Sequence, residues 1–208
     1  LTHIGHSEKV FNMKRLLLIL ILSLSFHSWS AADDIRDFEI EGMSIGDSLL
    51  DFYSKNEINK MLSKTVSTYK SKKIKRVFFK SKDGSNYLQY NFHYINDQNY
   101  KIVNVKGIML MENKSKECDS RKLKISNEIE TSIKFKNKKN ALDINNNDKS
   151  GKSSIDRTMY IVEGGRIEVA CWRWGKEIKK NKPWRDTLQV SIRSDISNDC
   201  VLVVFRFC

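Results

Sequence analysis

Two runs of alternating apolar residues flank the tetrapeptide Glu163-Gly164-Gly165-Arg166, and this pattern limits the fold more than any other feature of the sequence. The runs extend from Met159 to Val162 and from Ile167 to Trp174. Alternation with a period of two residues is typical of β-strands that bury one face. The two glycines supply the positive φ angles that a tight reversal between strands needs. The segment therefore predicts a β-hairpin and, with it, an antiparallel sheet.

Other segments with this alternation, or with dense runs of β-branched residues, predict the remaining strands of the sheet. Between Leu88 and Tyr94 the apolar side chains alternate with Gln89, Asn91 and His93, so we expect His93 to face solvent. One further strand is predicted to begin at Val77. Three more are predicted to cover Tyr100 to Met111, Thr187 to Arg193 and Val201 to Phe207. Gly107 interrupts the segment from Tyr100 to Met111 and indicates a bulge or a close backbone approach.

Helical periodicity appears in one long segment and two short ones. Cys118, Ile125, Ile129 and Ile133 lie on one stripe of a predicted helix from Lys116 to Phe135. Two short helices are indicated by the N-terminal capping patterns that begin at Ser44, with Asp47 three residues later, and at Ser54.

Residues 136–157 lose this periodicity and are rich in Asn, Lys, Ser and Asp, so they are interpreted as a mobile surface loop. The order of elements predicts an α+β fold. In that fold, one long helix and one or two short helices pack on an antiparallel sheet of about six or seven strands.

The N-terminal region has the three parts of a secretory signal peptide. Lys14 and Arg15 precede an apolar run from Leu16 to Phe26, which is about half the length needed to span a bilayer. Small residues follow, and cleavage is expected between Ser30 and Asp33. Residues 1–32 are therefore interpreted as an N-terminal extension followed by a cleaved signal at 13–32. Residues 33–208 are expected to form a single periplasmic or secreted domain with no transmembrane anchor after cleavage.

Charge and predicted export together indicate the class of partner. The chain has 37 Lys and Arg residues and 25 Asp and Glu residues, a net charge of +12. Such an excess favours an anionic lipid or glycan of the cell envelope as partner, and an envelope protein is the alternative. The basic run from Lys70 to Arg76 lacks the glycine and aromatic signature of an RNA-binding strand, and export argues against a nucleic-acid partner.

Four cysteines, at positions 118, 171, 200 and 208, are expected to form disulfides in an oxidising compartment. If Val201 to Phe207 is a strand, Cys200 and Cys208 lie about 26 Å apart at about 3.3 Å per residue. A disulfide needs Cα atoms within about 7 Å, so those two cannot pair with each other. Cys118 and Cys171 both face the layer between helix and sheet, and the sequence predicts that they pair. Cys200 and Cys208 are then expected to be thiols or to pair between chains.

No catalytic, cofactor or metal site is predicted. His93 is the only histidine after residue 32, which removes most histidine-based chemistry. The leading functional interpretation is a non-catalytic binding module for an anionic envelope component. The alternatives are an unfamiliar hydrolase that uses carboxylates near Asp47 and Asp51, and an interaction subunit of an envelope complex.

Trp172, Arg173 and Trp174 form a possible ligand platform. Alternation places both indoles on the sheet face opposite Ile167 and Cys171. Exposed neighbouring indoles can stack on a sugar or hold a partner. If helices cover that face instead, the two Trp residues belong to the core.

Two segments carry resemblances to known proteins. The stretch from Asp34 to Phe52, together with the helix around Cys118, resembles a family of small exported proteins of unknown function from AT-rich marine bacteria. That resemblance implies export and no particular activity. The turn Gly42-Met43-Ser44 into a short helix is similar to the SmpA/OmlA-type outer-membrane assembly lipoproteins, over about a tenth of the chain.

Overall fold

Seven strands form one antiparallel sheet in the residues that the computed structural model describes, which are 34–63, 73–144, 148 and 150–196. Their spatial order is β3-β4-β5-β9-β8-β7-β6, and a smaller sheet pairs β1 with β2. The strands are β1 (Glu39–Ile40), β2 (Met43–Ser44), β3 (Ile74–Lys80), β4 (Gln89–Ile95), β5 (Ile102–Leu110), β6 (Asn137–Ile144), β7 (Ser154–Val162), β8 (Gly165–Arg173) and β9 (Thr187–Ser194).

Three α-helices accompany the sheets in the described residues. They are α1 (Lys55–Leu62), α2 (Ser115–Ser132) and α3 (Lys176–Asn181), of which α2 is the long one. Ser54 caps α1 through the predicted reciprocal bonds with Glu57. Helix α2 packs on β8 and β9, and its buried side chains join the apolar face of the sheet in one core. The predicted α+β architecture, with one long helix on an antiparallel sheet, is therefore confirmed.

The core lies between this apolar sheet face and the helices. Phe92, Val105, Val169 and Ile192 project from four different strands and are almost fully buried. Ile58 of α1 belongs to the same cluster. None of the helices in the described residues combines the length and apolar character that crossing a membrane requires.

The hairpin predicted from the glycine pair joins β7 to β8, with Val162 opposite Gly165. Of the two glycines in this turn, only Gly164 has a positive φ, of 71°. Gly165 is needed for a different reason, because a Cβ atom at that position would lie 2.2 Å from the carbonyl oxygen of Arg193 on β9. The turn was therefore correctly placed, but the two glycines have different roles.

The predicted disulfide is confirmed. Cys118 in the first turn of α2 is bonded to Cys171 on β8, and their Cα atoms are 6.0 Å apart. Both residues are almost completely buried. The bridge ties the N-terminal end of α2 to an interior strand of the sheet.

The interpretation of residues 136–157 as a mobile loop is wrong for most of its length. Residues 137–144 form strand β6, which pairs with β7 from Asn137–Ile161 to Ile144–Ser154. Strand β6 lies at the edge of the sheet, and most of its side chains are exposed. Backbone pairing with β7 stabilises the strand without an apolar face of its own, which explains why its composition resembles that of a loop.

The short helix predicted to begin at Ser44 is also absent. Ser44 belongs to β2, and its backbone N–H donates to the Asp47 carboxylate at 2.7 Å. A single 3₁₀ turn at Leu49–Asp51 follows instead, and Ser48 caps it. The predicted signal at 13–32, the strand at 201–207, and Cys200 and Cys208 lie outside the described residues.

Candidate functional site

The sheet face opposite α2 is polar, in contrast to the apolar face that packs on the helix. Cys171 points toward α2, so its strand neighbours Ala170 and Trp172 point to the other side. We call this second surface the polar face. Its polar and charged members on the five strands from β3 to β8 include Arg76, Asn91, His93, Asn104, Lys106, Arg166, Glu168, Gln189, Ser191 and Arg193.

Strand register aligns these side chains in two rows across the sheet. The first row runs from Asn91 through Lys106 and Ser191 to Glu168, each opposite the next. The second row runs in the same way through Arg76, His93, Asn104, Arg193 and Arg166. Neighbouring strands lie about 4.8 Å apart, so members of one row are close enough to interact.

Positive charge dominates the centre of the polar face. Lys106, Arg76, Arg166 and Arg193 share the two rows with a single carboxylate, that of Glu168. Arg157 lies beside Glu168 at 3.7 Å and also pairs with Asp143. The rows therefore carry more cations than anions, and this excess of positive charge favours a negatively charged ligand.

Lys106 lies at the middle of this charge. Its ammonium group donates to Gln189 Oε1 at 3.0 Å. Burial lowers the pKa of Lys106 to about 8, and the nearby cations Arg193, Arg76 and Arg157 act in the same direction, while Glu168 opposes them. Lys106 is thus a partly dehydrated cation for which an anion would restore the lost stabilisation.

His93 is buried, with only 5% of its surface exposed, so the expectation that it faces solvent is wrong. The sequence correctly placed His93 on the polar face. Long neighbouring side chains on that face nevertheless shield the imidazole from solvent. Burial lowers its pKa to about 3, and Arg193, Lys106 and Arg76 contribute to the same shift. The imidazole is therefore neutral at pH 7.

Two buried amides on the polar face have unused hydrogen-bonding groups. Asn104 is fully buried, and neither its Oδ1 nor its Nδ2 has a hydrogen-bond partner among the described residues. Asn91 is 8% exposed, and its Oδ1 likewise has no hydrogen-bond partner among the described residues. A buried amide without a partner costs free energy, so such groups in a folded protein require an explanation.

Three indoles border these rows. The ring of Trp172 lies 5.9 Å from that of Trp174, which lies 4.4 Å from that of Trp184. The Lys106 ammonium is 5.7 Å from the Trp172 ring centroid, a cation–π distance that links the indoles to the charged rows. All three rings are partly exposed.

Arg173 does not contribute to this indole platform. Its guanidinium bonds to Ser115 Oγ at 3.0 Å and to the Asp119 carboxylate, both on α2. The predicted platform residues Trp172 and Trp174 are thus brought together, and Trp184 takes the place of Arg173. Sequence reasoning missed Trp184 because a helix and a connector separate it from β8.

Carboxylates near Asp47 and Asp51 have structural contacts of their own. The Asp47 side chain accepts the Ser44 backbone N–H, while exposed Asp51 lies in the 3₁₀ turn. Nearby Glu41 is bonded to Ser85, Asn86 and Tyr90.

Sequence reasoning also missed Asn104 and Lys106. The available signal was the placement of two polar residues at alternate positions within a strand otherwise dense in Ile and Val.

Comparison with protein-family models, curated proteins and solved structures found no match for this chain.

Proposed function

We propose that the protein is an exported, non-catalytic binding module that holds an anionic component of the cell envelope on the polar face. The observation that supports this best is the excess of cations on the two rows, centred on Lys106. A partly dehydrated ammonium group gains more from an anion than a fully hydrated surface lysine does. An anion should therefore bind more strongly at the polar face than at the exposed basic residues elsewhere on the chain.

Export forms part of this proposal and is supported by the signal pattern at 13–32. N-terminal sequencing of the protein recovered from a bacterial envelope fraction tests it. We expect Ala31, Ala32 or Asp33 as the first residue. A chain that begins at Leu1 or Met13 contradicts export with cleavage.

Binding is tested with two anionic probes, phosphatidylglycerol vesicles and polygalacturonate. Phosphatidylcholine vesicles and dextran serve as the counterparts without net charge. We expect the purified protein to bind at least one anionic probe, with an affinity that falls as salt is added. The double variant Lys106→Gln/Arg76→Gln should bind at least about tenfold more weakly, because it removes two charge-assisted contacts.

A matched control variant distinguishes the contribution of the polar face to binding from the contribution of net charge. The variant Lys60→Gln/Lys124→Gln removes the same charge from exposed positions on α1 and α2. We expect its affinity to stay within about twofold of the unmodified protein, because exposed charges contribute little at physiological salt. Equal weakening in both double variants, or no binding to either anionic probe, contradicts the proposed function.

A further inference from the structure

The two buried amides restrict the ligand more narrowly than charge does. Asn104 offers a donor and an acceptor at one point, and Asn91 offers an acceptor on the adjacent strand. A hydroxyl group is both donor and acceptor, so one hydroxyl can satisfy both atoms of the Asn104 amide. Phosphate and carboxylate oxygens accept only, and they leave the two Oδ1 atoms unsatisfied.

The two amides lie close to the cations and the indoles. Asn91 lies directly opposite Lys106, and Asn104 is two residues from Lys106 on β5. The Lys106 ammonium in turn reaches the Trp172 ring. Hydroxyl recognition, a cation and an aromatic surface therefore lie within about two strand spacings of each other.

We infer that the polar face binds a carboxylated polysaccharide. In this arrangement Lys106 and Arg76 hold the carboxylate, the amides of Asn91 and Asn104 hold ring hydroxyls, and a neighbouring sugar packs its apolar C–H face on Trp172. This inference rests on the proposed function and names its ligand class.

A lipid surface fits these observations less well than a sugar chain. A bilayer presents phosphates on a broad surface, which can approach the exposed rim of the sheet. It cannot place a hydroxyl against Asn104, which is fully buried. A single sugar ring can do so after the Lys106 and Arg193 side chains beside Asn104 move outward, because both are long and partly exposed.

The test compares Asn104→Leu with Asn137→Leu. Asn137 is exposed on the edge strand β6, where the second row continues from Arg166 through Ile161. Because the Asn104 amide has no partner among the described residues, its replacement by an apolar side chain of similar size should leave the melting temperature unchanged or higher. Affinity for polygalacturonate should nevertheless fall about tenfold. Trp172→Ala should weaken it by a similar factor, and Asn137→Leu should leave it unchanged.

Each outcome decides the inference. Polygalacturonate binding that Asn104→Leu and Trp172→Ala both weaken supports it. Binding to phosphatidylglycerol vesicles but not to polygalacturonate overturns it and leaves the proposed function standing. Unchanged polygalacturonate affinity in Asn104→Leu overturns it as well, and so does a melting temperature more than about 5 °C lower, which would mean that the amide has a structural role. No binding to either probe overturns both proposals.

Discussion

Loss of the Cys118–Cys171 disulfide should remove a large share of the folding stability. The bridge spans a sequence separation of 53 residues. Closing a loop of that length lowers the entropy of the unfolded chain by about 14 cal/mol/K, which corresponds to about 4 kcal/mol at 25 °C. Domains of this size are stable by about 5–15 kcal/mol, so we expect a strongly destabilised but still foldable protein.

The location of the bridge adds a local effect. Within α2, only Cys118 and Ser126 are buried, and many of the other contacts of this helix are surface ion pairs. Exposed ion pairs contribute less than about 1 kcal/mol each. Without the bridge, α2 should therefore open more readily than the sheet, and its amides should exchange with solvent faster than those of β8 and β9.

Urea unfolding followed by tryptophan fluorescence measures the effect in the variant Cys118→Ala/Cys171→Ala. With a denaturant dependence of about 2 kcal/mol/M, a loss of 4 kcal/mol lowers the midpoint by about 2 M. Reductant should shift the unmodified protein toward the variant and leave the variant unchanged. A midpoint shift below about 0.5 M refutes the reasoning, as does a Cys118 peptide recovered free, or joined to Cys200 or Cys208, in non-reducing peptide mapping.

Three further outcomes follow from the polar face and the hairpin. His93 binds a proton in the unfolded chain near pH 6.5 but in the folded protein only near pH 3, so stability should fall by about 2 kcal/mol from pH 7 to pH 5. Urea midpoints across this range measure the loss, and a His93→Gln variant with the same pH dependence contradicts it. Affinity for anions should fall as pH rises above about 8, where free Lys106 loses its charge, and a flat titration of binding up to pH 10 counts against this role. Gly165→Ala should cost about 3 kcal/mol in thermal unfolding, because the new Cβ meets the Arg193 carbonyl. Gly84→Ala, at an open position with φ of 86°, should cost about 1 kcal/mol, and equal losses at the two glycines argue against the contact.

Part of the candidate site was predictable and part was not. The alternation of β8 correctly placed Trp172 on the face opposite Cys171, because successive side chains in a strand point to opposite sides. The same rule placed His93 on the polar face. It did not reveal that His93 is buried, because burial depends on the long side chains that neighbouring strands place around it.

Local periodicity in the sequence determined the β7–β8 hairpin, the apolar stripe of α2 and, through the faces on which its two cysteines lie, the disulfide. Each of these depends on residues that are close in the chain or on a face set by a repeat of two or about 3.6 residues. Tertiary structure decided that residues 137–144 form a strand, because an available β7 edge supplies hydrogen bonds that the side chains do not encode. It also placed β9 between β5 and β8, and so aligned Lys106, Asn104 and the arginines in rows. Strand order depends on contacts between distant residues, which periodicity within a segment does not specify.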